Sequence, residues 1–186
     1  MSKKRLKNSL QQMPNALRIH RDRIAKEVMD SKNGLKHLIA IAFELPEKTA
    51  IKAAWILEII ACKKQVLYIP YLSFYCHNIQ NITHESAKRP FAKITSILTL
   101  EARKGNQITF SSKQEELLTA LHFDWLTTES SIAVKVHSME TLYQLGFGTT
   151  WIHPALKLLL LQHLSSESPA YRARGKKILR QLNRLT

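Results

Sequence analysis

Four segments of the chain repeat one arrangement of apolar and polar positions. Thr49-Ala50-Ile51-Lys52, Ser86-Ala87-Lys88-Arg89, Ile132-Ala133-Val134-Lys135 and Pro169-Ala170-Tyr171-Arg172 each place an Ala, one further residue and a cation. Three positions beyond the cations stand Trp55, Ala92, Ser138 and Gly175, three of them small. Seven beyond stand Ile59, Ser96, Leu142 and Leu179, and ten beyond stand Cys62, Thr99, Leu145 and Leu182. Offsets of three, seven and ten share one face of a helix. Glu47, Glu85, Glu129 or Glu167 precedes each cation by four to six positions, where a carboxylate in the first turn complements the helix dipole. Each unit is thus a helix with an acidic start, a basic second turn, a small residue for close packing and an apolar stripe.

The same reasoning predicts the remaining elements. Residues 1–14 read as a basic mobile arm, followed by a helix from Asn15 to about Asp30 with Leu17, Ile24 and Val28 on one face. Asn33-Gly34 breaks the chain ahead of a short apolar helix, Leu35 to Leu45, that stops before Pro46. Its partner, Glu47 to about Cys62, is apolar on nearly every side and therefore buried on every side. A helix opening near Val66 carries Pro70 in its first turn, and another from Glu85 to Glu101 contains Pro90, which predicts a kink or a late start. Beyond a polar connection at 102–109, with a brief extended piece around Ile108 and Phe110, Ser112 and Glu115 form a capping box for a helix to Leu126. Glu129 to Leu145 follows, with Gly146 as a left-handed stop. Trp151 to Leu164 and a last helix, capped by Ser168 with Pro169 at its first position, complete the set to about Leu185.

The four cations are spaced 37, 46 and 37 residues apart, and periods of that size holding a helix pair are characteristic of α-solenoids. On these residues the chain resembles the HEAT and armadillo-like repeat proteins, in particular short bacterial HEAT-repeat proteins of uncharacterised function, over roughly residues 34 to 186. The resemblance implies an all-α fold: an α-α superhelix (solenoid) of about four HEAT-like helix pairs plus an N-terminal helix, with residues 15–186 as a single domain. It also implies that Lys52, Arg89, Lys135 and Arg172 form an inter-repeat ladder tying neighbouring repeats together. A basic track following a polyanion is the alternative for the same side chains. Positions five and eight beyond the cations turn away from the packed face, toward the concave side of such a stack. They hold Leu57 and Ile60, Ile94 and Ile97, Glu140 and Tyr143, Lys177 and Arg180. The expectation is a concave binding face, apolar at one end and basic at the other, for an amphipathic or acidic peptide helix. A tightly curved stack that buries both flanks is the competing reading.

Charge adds that the ends differ from the middle. Of a net +14, residues 1–36 carry ten Lys or Arg against three acids (+7), and residues 157–186 carry seven against one (+6). Such ends either solvate the terminal repeats or contact phosphates or an acidic partner. The length suits about one domain, enough to bury a core without disulfides or metals. Cys62 and Cys76, both in apolar helical runs, read as buried, reduced thiols of a cytoplasmic protein. Met1 to Met13 lacks the apolar stretch of a secretory signal, and no segment approaches the roughly 20 apolar residues that span a bilayer. The expectation is a soluble chain without a membrane partner.

Candidate chemistry is sparse. His84-Glu85 lacks the second His four residues on that a zinc protease helix needs, His153 and His163 are ten apart, and His20, His37, His77, His122 and His137 stand on separate elements. Gly146-Phe147-Gly148 is followed neither by a third glycine nor by the Lys-Ser/Thr of a nucleotide loop, and no nucleophile elbow is present. No metal, cofactor or catalytic residue is assigned. The leading reading is a non-enzymatic protein-binding scaffold or adaptor whose partner is an unidentified protein or peptide, an acidic one among the options. The alternative is a nucleic-acid-binding protein related to the HEAT-like DNA alkylation repair glycosylases, with weak non-specific nucleic-acid binding.

Overall fold

The computed structural model describes residues 1–44, 47–165 and 167–185, and every regular element among them is helical. The predicted helix stop before Pro46 falls on residues 45 and 46, outside the described residues. The chain divides into two compact units, Met1–Ile94 and Thr95–Thr186.

The first unit contains α1 (Lys3–Gln11), α2 (Arg18–Met29), α3 (Gly34–Ala42), α4 (Lys48–Lys63), a 3₁₀ segment Gln65–Tyr71, α5 (Leu72–Asn78), a short 3₁₀ turn Ile79–Asn81 and the first part of α6 (Glu85–Arg103). Its centre is α4, which packs against α1, α2 and α3. Ala53, Ala54, Ile56, Leu57, Ile60 and Ala61 are fully buried, as an all-round apolar helix requires. Pro70 falls within the 3₁₀ segment and not in an α-helical first turn, whereas α6 runs through Pro90 as one element.

The first thirteen residues do not form a mobile arm. Ser2 Oγ accepts from the Arg5 N–H and caps α1, and Leu6, Leu10 and Met13 are buried. Their spacing of four and three puts them on one helical face, which docks on α3 and α4. Charges reinforce the contact: Lys3 reaches Glu44 at 2.7 Å, and Lys7 lies 3.0 Å from both Glu44 and Glu47. At the other end of α1, Lys52 Nζ donates to the carbonyls of Leu10 (2.9 Å), Gln11 (3.3 Å) and Met13 (2.9 Å). A cation there adds a donor to the carbonyls at the helix C-terminus and complements the dipole.

The second unit holds the rest of α6, α7 (Ser112–Thr127), α8 (Ile132–Leu145), α9 (Ile152–His163) and α10 (Pro169–Leu182). Here α8 is central, packed against α7, α9 and α10. Two of the small positions are tightly enclosed. Ser138 is fully buried with its Oγ 3.0 Å from His122 Nδ1, and a Cβ on Gly175 would stand 2.8 Å from Leu164 Cδ1. Ser168 caps α10 with Pro169 at its start.

Three local expectations are corrected. The capping box of α7 is one residue earlier, Ser111 with Gln114, which leaves Glu115 without a capping role. Gly146 has a right-handed φ of −63°; glycine is required because a Cβ would collide with the His153 ring, itself held by a 2.9 Å contact between Nε2 and the Tyr143 carbonyl. No strand forms around Ile108 and Phe110 among the described residues; Ile108 is simply buried.

Candidate binding groove

Two faces of α7 have different fates. Leu118, His122, Trp125 and Leu126 are buried, while Ser112, Glu115, Glu116, Thr119, Ala120 and Phe123 line a chain of clefts. Offsets of 3, 4, 7, 8 and 11 from Ser112 are again one helical stripe. The first cleft, about 330 Å³, lies between Glu115, the last turns of α6 (Thr99, Ala102, Arg103), residues 108–110 and the Gln144–Gly148 stretch. The second, about 550 Å³, shares Glu115 and Gly148 with it. The third, about 450 Å³, shares Ala120 and Trp151 with the second and continues along Ala155, Leu158, Leu159 and Gln162 of α9. The three therefore form one groove along α7.

Its ends are chemically distinct. At the polar end, burial pushes the Glu115 carboxyl above the usual carboxylate range, because a desolvated charge is disfavoured. Among the described residues this side chain has no ion-pair or hydrogen-bond partner. Gln144 is buried, and its Oε1 lacks a hydrogen-bond partner. The Arg103 guanidinium sits 4.8 Å from the Phe147 ring centroid, a cation–π arrangement. Backbone approaches the carboxylate directly: a Cβ on Gly148 would meet Glu115 Oε2 at 3.8 Å. At the apolar end Phe123 and Trp151 stack with centroids 5.6 Å apart and planes at 18°. Trp151 is 55% exposed and Leu158 60%.

The residues singled out in the sequence lie elsewhere. Besides Lys52 on α1, Arg89 Nη2 is 2.9 Å from Glu58 Oε2, whose other oxygen takes Lys93 at 2.9 Å. Lys135 Nζ is 2.8 Å from Glu167 Oε1, and Arg172 Nη1 donates to the Glu167 carbonyl at 3.0 Å. All four cations thus hold partners, and none lines the groove. The expected open apolar face is overturned at Leu57, Ile60 and Ile94, which are fully buried core. Tyr143 is also buried, against His153 and Phe147, and Ile97 is half-buried. Glu140 pairs with Arg174. Only Lys177 and Arg180 of that set are exposed. The physical reason is that the flank carrying Leu57 and Ile60 belongs to a helix enclosed all round.

Sequence reasoning missed Glu115, Gln144, Phe123, Trp151 and Leu158. Two signals were available. The α7 stripe mixes small, polar and aromatic residues unlike the repeat stripes, and the leucine run of α9 exceeds one face, so that Leu156 and Leu160 are buried while Leu158 and Leu161 are exposed. Of the cysteines, Cys62 is exposed, against expectation; Cys76 is buried, and burial pushes its thiol up to about 12. Among the described residues no three His, Cys, Asp or Glu side chains gather as a metal site, and no helix is long and apolar enough to cross a membrane. Comparison with family models, curated proteins and solved structures finds no match to this chain.

Proposed function

We propose that the protein is a non-enzymatic, cytoplasmic protein-binding scaffold or adaptor, built as a short HEAT-like solenoid, that takes a partner segment in the groove along α7. Two of the ladder cations reach the neighbouring predicted repeat, Arg89 to Glu58 and Lys135 to Glu167, and these support the HEAT-like part of this reading. The observation that carries the binding part is the exposed aromatic and aliphatic end of the groove, Trp151 stacked on Phe123 beside Leu158. Single exposed apolar side chains are ordinary, but a contiguous set lining a concave surface marks an interaction site, and Trp is among the commonest anchors of protein interfaces. We expect the double change Trp151→Ser with Leu158→Ser to leave helical circular dichroism and Tm nearly unchanged. A photo-crosslinker placed at Gln162 should then lose the protein adducts it forms in the wild-type background. Adducts of equal yield in both backgrounds would reject the groove as the binding surface.

The nucleic-acid reading keeps one specific support. On α10, Lys176, Lys177 and Arg180, with Arg184 just beyond, are exposed and pair with no carboxylate among the described residues. Exposed cations of this kind attract polyanions without sequence preference.

A further inference from the structure

We infer that the groove selects a segment presenting a basic side chain to Glu115 and Gln144 and an apolar side chain to Trp151 and Leu158. This rests on the protein-binding reading of the same groove and gives the partner its chemistry. The argument begins with acceptors. Gln144 Oε1 is buried and unpartnered, an unfavourable state that a donor from a ligand would relieve. Glu115, the neighbouring wall of the same cleft, is a half-buried carboxylate with no partner among the described residues. A Lys ammonium offers three donors and an Arg guanidinium five, and neither accepts. Such a side chain satisfies both acceptors at once, whereas an acidic segment would set acceptors against acceptors.

Charge points the same way. The chain carries a net +14, yet the first two clefts are lined by Glu115 and Glu116. Their one lining cation, Arg103, lies over the Phe147 ring. That ring and Phe110 line the first cleft and can pack against the aliphatic stem of an incoming Lys or Arg.

Spacing completes the description. Glu115 and Phe123 are eight residues apart on α7, about 12 Å at roughly 1.5 Å per residue. An extended segment rising about 3.3 Å per residue covers that distance in four residues. Residues i and i+4 of such a segment face the same way, so a basic residue at i and an apolar one at i+4 reach the two ends together.

The test uses the full chain, labelled with ¹⁵N, and a short blocked peptide of Ala and Ser with Arg and Leu four positions apart. Two companion peptides replace the Arg by citrulline, its neutral counterpart, or by Glu. The Arg peptide should shift the Gln144 side-chain amide and the Glu115 and Ala120 backbone signals. It should bind about tenfold or more tightly than the citrulline peptide, the scale of a charge-assisted contact. Glu115→Gln should abolish that preference, and Trp151→Ser should weaken both peptides alike. Gly148→Phe, which fills the junction of the first two clefts, should block binding, while Gly148→Ala, whose Cβ makes only ordinary contact, should not. Equal binding of the Arg and citrulline peptides, or tighter binding of the Glu peptide, overturns the basic-residue assignment; the protein-binding reading survives if Trp151→Ser still weakens binding. Groove signals unmoved by all three peptides overturn both.

Discussion

His122 shows how one buried side chain makes stability depend on pH. Its Nδ1 is 3.0 Å from Ser138 Oγ, and its ring meets Trp125 edge-on at 5.1 Å. Burial, with a smaller contribution from the His137 charge, lowers its pKa from 6.5 to about 3. Between those values the unfolded chain binds a proton that the folded chain refuses. The stabilisation is therefore complete above the unfolded pKa of about 6.5 and is lost progressively as pH falls toward about 3. Carboxylates held low by cations, such as Asp22 beside Lys63 and Arg18 or Glu44 beside Lys3 and Lys7, respond only at the acid end of that window. We expect Tm to decline already between about pH 6.5 and 5. His122→Gln, which keeps a polar group beside Ser138, should flatten that part of the profile. Identical slopes for the two proteins would remove His122 as the cause.

At the scale of elements, the junction of α8 and α9 isolates a steric requirement from a conformational one. Gly146 lies at φ −63°, where alanine is at ease, so the obstacle to Gly146→Ala is steric, with the His153 ring nearest to the added Cβ. We expect that substitution to destabilise by roughly 1–3 kcal/mol, the scale of overpacking. His153→Ala in the same chain should recover part of the loss as a favourable coupling, measured by urea unfolding. Additive losses would show the clash to be unimportant. The same junction shows what could be read beforehand. The Ser168–Pro169 start of α10 was legible because a cap and a proline act within one turn of their own position. The start of α7 was legible only to within one residue, since Ser111 and Ser112 are both competent caps and Gln114 and Glu115 both competent partners. The docking of α1 was hidden by its lysines, although Leu6, Leu10 and Met13 carried the spacing. That the Leu57 flank is closed was legible in α4 itself, whose all-round apolar sequence calls for burial on every side and so conflicts with an open face there. The groove escaped because its walls come from α6, residues 108–110, α7, the end of α8, the α8–α9 connection and α9, brought together only by folding.

Over the whole molecule the basic residues fall into two kinds. Some, such as Lys52, Arg89, Lys135 and Arg172, hold internal acceptors; others, such as Lys177 and Arg180, face water. Only the second kind is available to a polyanion. Binding to duplex DNA should accordingly be weak, about 10⁻⁴–10⁻⁶ M at physiological salt, and should fall steeply as salt rises. Replacing Lys177 and Arg180 by Gln should make the log–log salt slope shallower by about two. The double change in the groove should leave that slope alone. A complex that persists at high salt would favour the nucleic-acid reading over the protein-binding one.

The three carbonyls that Lys52 holds at the end of α1 lie 39 to 42 residues earlier in the chain. During synthesis, α1 leaves the ribosome before the side chain that closes its last turn exists. Its Ser2 cap is in place from the first turn, whereas the carbonyls at its other end gain their cation only once α4 has been made.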